Sequence, residues 1–185
     1  MNAIEYAAFL LGVAYVILAA RGHVGCWLFG ILSSAIYIYL NYQWQLYYDA
    51  ALQLFYVGLG IYGWMQWNAT RDEPIRIVTM PIAKQFLMVV FAIPISLLLG
   101  YGTYTFLKTT FTFLDAGITV FSLLATYLTA KKMLQSWVWW IVIDLIATGL
   151  YIGKEAYITA LLYVVYTVAA VYGYTVWKKQ MQTSE

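Results

Sequence analysis

The chain has 185 residues, of which 64% are hydrophobic and 10% are charged, whereas about a quarter of the residues in a soluble domain are charged. A chain this apolar needs lipid as its solvent, and its formal net charge of +2 gives no basic patch with which to hold a nucleic acid. The single Cys26 excludes an internal disulfide and, with the single His23, forms no metal-ligand set. We therefore expect a membrane protein without a metal or cofactor.

Seven apolar segments follow one another along the chain. A helix needs about 20 residues to cross roughly 30 Å of hydrocarbon, and on this scale the sequence predicts an all-α protein with seven transmembrane helices. The spans lie near residues 4–20, 25–42, 46–67, 84–102, 111–130, 135–153 and 156–177. The first span is not preceded by a basic stretch and is not followed by a small-residue cleavage site, so we interpret it as a mature span rather than a signal peptide. The segment 68–81 is predicted to be a solvated loop, and the residues from Lys178 onward a polar tail.

The cationic side chains indicate the orientation in the membrane. Two of them, Lys108 and Lys154, fall on one side of the seven spans. The other eight fall on the opposite side: Arg21, Arg71, Arg76, Lys84, Lys131, Lys132, Lys178 and Lys179. Because cytoplasmic loops carry the excess of Lys and Arg, we expect the N-terminus outside and the C-terminus in the cytoplasm.

Comparison of the sequence with itself reveals a repeat. At a constant shift of 110, residues 27–67 match residues 137–177 at eleven positions without a gap, where roughly three or four would match by chance. The matching pairs begin with Trp27 and Trp137 and end with Trp67 and Trp177. This predicts a first three-helix repeat at 1–67, a loop and linker helix at 68–110, a second repeat at 111–178 and a cytoplasmic tail at 179–185.

The linker helix determines how the two repeats are related. Three spans reverse the direction of the chain, and the fourth restores it, so the repeats are predicted to be parallel, in a 3+1+3 arrangement around a central cavity. Parallel repeats related by an axis along the membrane normal occur in secondary transporters, which bind substrate near the midplane. The alternatives are a duplication that is now only structural, a non-transporting subunit or receptor, and a channel.

Span 6 carries the strongest candidate for a binding site. Trp137, Trp140 and Asp144 are spaced i, i+3 and i+7, which places them on one narrow arc of a helix. A carboxylate near the middle of a span should not face lipid, so we expect this arc to face a cavity. The alternatives are that the tryptophans anchor the helix at the interface and that Asp144 bonds a neighbouring helix, for instance at Tyr37 or Asn41.

Further polar side chains on three spans are candidate substrate contacts, although they could equally bond a neighbouring helix. They are Gln53 and Tyr56 on span 3, Tyr163 and Tyr166 on span 7, and Ser34, Tyr37 and Asn41 on span 2. The sequence has no Gly-rich phosphate loop with Lys and Ser or Thr and no Ser/His/Asp set. We therefore expect neither ATP hydrolysis nor enzymatic activity.

Four segments together resemble the PnuC family of bacterial vitamin transporters, best known for nicotinamide riboside. They are Trp27 to Tyr37 (WLFGILSSAIY), Gln53 to Trp67 (QLFYVGLGIYGWMQW), the pattern of Trp137, Trp140 and Asp144, and Lys154 to Leu162 (KEAYITALL). The resemblance implies a 3+1+3 fold similar to that of SWEET sugar transporters, in the bacterial inner membrane. It also implies facilitated diffusion, made one-way when a cytoplasmic kinase phosphorylates the vitamin.

The resemblance leaves the substrate open. Family members that carry nicotinamide riboside often have Asn where this chain has Asp144, and related members carry thiamine, riboflavin or deoxynucleosides. Indole rings attract cations, and a buried carboxylate adds charge complementarity. The residues therefore favour a flat cationic ligand, with nicotinamide riboside first and thiamine close behind. Coupling to an ion at Asp144 is the mechanistic rival, and the apolar faces allow a homo-oligomer as easily as a monomer.

Overall fold

The computed structural model describes residues 3–43, 47–69, 76–107 and 112–183, and within these ranges the chain forms seven α-helices. The helices are α1 Ala3–Ala20, α2 Cys26–Gln43, α3 Tyr47–Asn68, α4 Ile82–Leu107, α5 Thr112–Ala130, α6 Gln135–Gly153 and α7 Tyr157–Thr183. Two helices are longer than predicted. α4 extends past residue 102, and α7 continues through most of the predicted polar tail, because Lys, Gln and Met favour a helix and no Gly or Pro interrupts them.

The turns after α1 and α5 have the same backbone structure. After α1, the amide of Gly22 donates to the carbonyl of Ala19, and that of His23 to the carbonyl of Leu18. These bonds pair carbonyls in the last turn of the helix, which is followed by a residue in the left-handed backbone conformation. Gly22 has φ 70, and its counterpart in the second repeat, Lys132, has φ 55 and lies in the corresponding turn after α5. The register of the repeat therefore holds in the backbone as well as in the sequence.

Six of the helices form a closed ring. Neighbours along it pack in the order α1, α2, α3, α5, α6, α7 and back to α1, and α4 packs against α5 from outside the ring. The two contacts that join the halves are α3 with α5 and α7 with α1. In each of them, the third helix of one repeat meets the first helix of the other. The ring thus has the 3+1+3 arrangement that the repeat predicts, with α4 as the connecting helix.

Five of the described helices, namely α1, α4, α5, α6 and α7, are long and apolar enough to cross a membrane. The remaining two, α2 and α3, are less apolar. On α2 the polar residues Ser33, Ser34 and Asn41 are buried inside the bundle, where a polar side chain need not meet lipid. The mean hydropathy of a segment does not reveal that its polar residues are buried, because it averages the inward and outward faces of a helix.

Four tryptophans form a cluster at one end of the ring, which we call the tryptophan cluster: Trp27, Trp67, Trp137 and Trp177. All four are buried. Trp27 meets Trp67 edge to face at 5.5 Å and 90°, and Trp137 meets Trp177 in the same way at 5.4 Å and 88°. Trp67 and Trp177 then contact each other at 6.0 Å. The cluster therefore consists of two equivalent pairs, one from each repeat, that meet in the middle.

Two glycines make room for these pairs. A Cβ atom on Gly63 would come within 2.4 Å of the Trp27 ring, and one on Gly173 within 2.7 Å of the Trp137 ring. Both distances are far below van der Waals contact. The two glycines occupy equivalent positions in the repeat register, so each repeat uses the same device to bring an indole against the backbone of its third helix.

Two indole hydrogen bonds tie the halves together at the same end. Trp67 of α3 donates its Nε1–H to the carbonyl of Ala130 on α5, at 3.0 Å. Trp177 of α7 donates to the carbonyl of Ala19 on α1, at 3.2 Å. Each bond runs from one repeat to the other and ends on a backbone carbonyl in the last turn of a helix. The two halves are thereby held by matched contacts.

The segment before α4 is partly docked, whereas a solvated loop was expected. Val78 exchanges backbone hydrogen bonds with the turn between α5 and α6, as donor to Lys132 at 3.0 Å and as acceptor from Leu134 at 2.9 Å. The neighbouring Ile77 is buried. Together with the backbone amide of Met80, which donates to the side chain of Gln135 at 2.9 Å, these groups hold this part of the connection to the second repeat.

Candidate substrate cavity

A cavity of about 230 Å³ lies inside the ring. Side chains of α1, α3, α5, α6 and α7 surround it. The lining residues are Gly12, Tyr15, Val16, Ala19, Tyr56, Ser122, Thr129, Trp137, Trp140, Asp144, Tyr163, Tyr166 and Ala170. Since Trp137 belongs to both the lining and the tryptophan cluster, the cluster closes one end of the cavity.

Six of the ten candidate site residues lie in this lining. They are Trp137, Trp140 and Asp144 on α6, Tyr56 on α3, and Tyr163 and Tyr166 on α7. The other four candidates, Ser34, Tyr37, Asn41 and Gln53, are not part of it. Ser34 and Asn41 are buried elsewhere in the bundle. The structure thus brings together the candidates of the second repeat and Tyr56 of the first, and it leaves out those of α2 and Gln53 of α3.

Among the described residues, Asp144 is the one acidic side chain that lines the cavity, and it is only 3% exposed. Its backbone carbonyl accepts a hydrogen bond from Thr148 at 2.8 Å. Its carboxylate makes no hydrogen bond or ion pair with any of the described residues, including Tyr37 and Asn41 on α2. A buried carboxylate of this kind strongly favours a cation or a hydrogen-bond donor as its partner. The cavity is therefore suited to a ligand that supplies one.

The two tryptophans that line the cavity are held from behind. The Nε1–H of Trp140 donates to the hydroxyl of Thr129 on α5 at 3.4 Å, and the hydroxyl of Thr129 donates in turn to the Ala125 carbonyl at 2.9 Å. Trp137 packs against Trp177 within the tryptophan cluster. Both indoles are thus fixed by contacts that do not involve a ligand, as stacking surfaces should be if little entropy is to be lost on binding.

The third tryptophan of α6 has a different environment. Trp139 lies outside the lining, packs against Phe121 with ring centroids 5.8 Å apart, and donates a hydrogen bond at 3.4 Å to Gln85 of α4. This agrees with the helical spacing, which turns Trp139 away from the arc of Trp137 and Trp140. Trp139 therefore belongs to the packing of the linker helix.

Tyrosines of α3 and α7 occupy equivalent places in the cavity. Tyr56 of α3 lines the cavity together with Ser122 of α5. Tyr166, the counterpart of Tyr56 in the second repeat, places its hydroxyl 3.8 Å from the position that a Cβ atom would take on Gly12 of α1. Gly12 and Ser122 are themselves counterparts in the same register. The axis that relates the repeats therefore passes through the cavity.

At the other end of the ring, a salt bridge lies beside the cavity wall. Lys154 meets Asp115 at 2.6 Å and lies 5.2 Å above the ring of Tyr151. Tyr151 stacks on the lining residue Tyr163, with centroids 5.3 Å apart. The ion pair is partly exposed, so its own contribution to stability is about 0–1 kcal/mol. It nevertheless connects the turn between α6 and α7 to the wall.

Seven lining residues are missing from the sequence-based candidates. They are Gly12, Tyr15, Val16 and Ala19 on α1, Ser122 and Thr129 on α5, and Ala170 on α7. Four of them are small or apolar and carry no chemical signal. Ser122 and Thr129 do carry one, since their spacing of seven places both hydroxyls on one face of α5. Applying the repeat register to Ser122 would then have indicated Gly12 as well.

A closed ring of apolar helices around an aromatic cavity with one buried carboxylate is typical of a multi-pass membrane transporter. The sequence model of the nicotinamide mononucleotide transporter family matches residues 2–179. The chain belongs to this family, whose members are transporters and not enzymes, and the resemblance to PnuC proteins is confirmed.

Individual relatives match over most of their length. The chain is 23% identical over 201 residues to the nicotinamide riboside transporter PnuC of Escherichia coli. This alignment covers 94% of this chain and 84% of the relative. The chain is 26% identical over 186 residues to the nicotinamide riboside transporter PnuC of Neisseria mucosa, in an alignment that covers 93% of this chain and 70% of the relative. The riboflavin/roseoflavin transporter RibM of Streptomyces davaonensis is 23% identical over 174 residues, with 91% and 81% covered.

A solved structure has the same fold. The crystal structure of the vitamin B3 transporter PnuC matches with a TM-score of 0.77 at 23% identity, and the match covers 98% of this chain and 83% of that one. The predicted all-α membrane fold is therefore confirmed.

Proposed function

We propose that this transporter carries a vitamin with a flat cationic ring, and that nicotinamide riboside is the first candidate and thiamine the second. The observation that carries the proposal is the Asp144 carboxylate, which lines the cavity beside Trp137 and Trp140 and has no partner among the described residues. A cationic ring would neutralise the carboxylate and stack on an indole, and a cation over an indole contributes about 2 kcal/mol when desolvated.

Charge and size rank the other candidates lower. Riboflavin has three fused rings and no positive charge, and deoxynucleosides are neutral, so neither would compensate the Asp144 carboxylate. The cavity of about 230 Å³ is also smaller than typical ligand pockets of roughly 300–1,000 Å³, which favours a small vitamin. The names of the relatives include both nicotinamide riboside and riboflavin, so the ranking depends on Asp144.

The first experiment is a calorimetric binding screen of the purified protein with nicotinamide riboside, thiamine, riboflavin and a deoxynucleoside. We expect saturable binding of a cationic vitamin. Binding of riboflavin or the deoxynucleoside alone would contradict the charge argument. Binding of none of them would contradict the proposed substrate class.

We further propose transport by facilitated diffusion, with a cytoplasmic kinase trapping the vitamin by phosphorylation. The absence of a phosphate-binding loop from the sequence supports independence from ATP. Liposomes that contain the protein should take up labelled vitamin only until the concentrations inside and outside are equal. Accumulation driven by a proton or sodium gradient would instead assign Asp144 to ion coupling.

We propose that the membrane is the bacterial inner membrane, with the N-terminus outside and the tryptophan cluster at the cytoplasmic end. The support is the excess of Lys and Arg on the side where α1, α3, α5 and α7 end. Arg71 and Lys108, which enter that comparison, lie outside the described residues. The two repeats at 1–67 and 111–178, separated by 68–110, would then move relative to each other about the cavity.

A further inference from the structure

The two halves of the cavity differ where the ring-binding groups lie. In the repeat register, Trp140 corresponds to Gly30 and Asp144 corresponds to Ser34. Trp140 and Asp144 line the cavity, and Gly30 and Ser34 do not. The indole and the carboxylate that suit a cationic ring are therefore confined to the second repeat, and the first repeat must contact a different part of the ligand.

Tyr15 of α1 fills the place that Gly30 leaves open. A Cβ atom on Gly30 would come within 3.0 Å of the Tyr15 ring, so the ring packs directly on the backbone of α2. Tyr15 also meets Trp27 edge to face at 5.7 Å and 61°. These two contacts fix the ring in the cavity wall opposite the second repeat. Where the second repeat presents an indole from its middle helix, the first presents a phenol from its first helix.

The hydroxyl of Tyr15 is buried and has no hydrogen-bond partner among the described residues. Buried hydroxyl groups are nearly always paired, and an exception needs an explanation. The indole N–H groups of Trp27 and Trp137 are also unpaired, but these belong to the tightly packed tryptophan cluster. Tyr15 is the one cavity-lining residue among those described that combines a buried, unpaired hydroxyl with a position in the first repeat.

We propose that Tyr15 is a specificity-determining residue that hydrogen-bonds a hydroxyl group on the part of the ligand outside the cationic ring, while Trp140 and Asp144 hold the ring itself. The ligand would then lie across the axis between the repeats in one fixed direction. This inference rests on the proposed function, because it takes the ligand to be a cationic ring that carries a hydroxylated substituent, as nicotinamide riboside is.

The test compares two ligands with the same ring. Nicotinamide riboside carries the sugar, and 1-methylnicotinamide has the same cationic ring without it. Tyr15→Phe keeps the ring contacts with Gly30 and Trp27 and removes only the hydroxyl. We expect it to weaken nicotinamide riboside by about 2- to 12-fold, the scale of one hydrogen bond, and to leave 1-methylnicotinamide unchanged in a competition assay. Asp144→Asn should weaken both ligands.

Two further variants make the result specific. Gly30→Ala should push the Tyr15 ring by a few tenths of an ångström and also weaken the riboside selectively. Tyr174→Phe is the matched control, since Tyr174 is partly buried against the core and lies outside the lining, and it should change neither affinity.

A second measurement separates ligand binding from folding. Because the Tyr15 hydroxyl has no partner, Tyr15→Phe should leave the thermal stability of the ligand-free protein unchanged or raise it. A fall in that stability, an unchanged affinity for the riboside, or equal losses for both ligands would overturn the inference. If the unmodified protein binds thiamine but not nicotinamide riboside, this inference fails and the proposed function stands. If it binds no cationic vitamin, the proposed function fails and this inference fails with it.

Discussion

Replacing Asp144 by Asn separates the two roles that a buried carboxylate can have. Asn keeps the size of the side chain and can still hydrogen-bond, but it removes the charge. In the ligand-free protein Asp144 is 3% exposed, and its carboxylate makes no hydrogen bond or ion pair with the described residues. Its charge is therefore a cost to the empty protein, and Asp144→Asn should leave the thermal stability unchanged or raise it.

Binding should respond in the opposite direction. A hydrogen bond to a charged group contributes about 1.5–3 kcal/mol, so Asp144→Asn should weaken a cationic vitamin by about 10- to 150-fold and spare a neutral ligand. Trp140→Ala should weaken both kinds of ligand, because stacking on an indole does not require charge. Calorimetry on the purified variants measures these affinities.

The control for Asp144→Asn is Asp49→Asn, which removes an exposed carboxylate near the start of α3 that does not line the cavity. It should change neither affinity nor stability. If Asp144→Asn lowers the stability of the empty protein and leaves relative affinities unchanged, Asp144 supports the fold and the assignment to the site is wrong.

Three further outcomes follow from the packing and the charge distribution. Gly173→Ala should destabilise the protein by about 1–3 kcal/mol in a thermal-shift assay, because its Cβ would lie 2.7 Å from the Trp137 ring. The control Gly58→Ala, whose Cβ would meet nothing within 4 Å, should not destabilise it, and equal effects of the two changes would contradict the packing. Trp177→Phe should destabilise the protein by more than the roughly 1 kcal/mol of one hydrogen bond, because it removes the bond between the repeats and also leaves a cavity in the buried tryptophan cluster; an unchanged stability would contradict this packing. Cysteines at Tyr157 and Lys178, which lie at opposite ends of α7, should be labelled from opposite sides of the membrane in intact cells, and labelling from the same side would refute the orientation.

The sequence predicts the helices well because the membrane imposes one length on every span. All seven predicted spans correspond to helices, and the family and fold are confirmed. The errors lie where the bilayer imposes nothing. α7 continues to Thr183 through residues that favour a helix outside lipid. Ile77 is buried in the hydrophobic core, in a segment whose composition indicated only a solvated loop.

The cavity is predicted in part, for reasons that differ between the two repeats. Trp140 and Asp144 give a clear signal, because an indole and a carboxylate on one arc of a span need an explanation. Ser34 has the equivalent position in the first repeat, but it does not line the cavity. Tyr15, from a different helix, takes the place next to Gly30. A register comparison cannot reveal such a substitution between helices.

The hydrogen bond between Trp177 and Ala19 also has a consequence for biosynthesis. It joins residues 158 positions apart in the sequence, in the first and the last helix of the ring. When α1 enters the membrane, its later neighbour α7 has not yet been synthesised. The inner face of α1, including Gly12 and Tyr15, must therefore contact lipid or α2 until α7 is inserted. The ring closes only after α7 has been inserted, and a ribosome that stalls in the last helix would leave five ring helices around an open side.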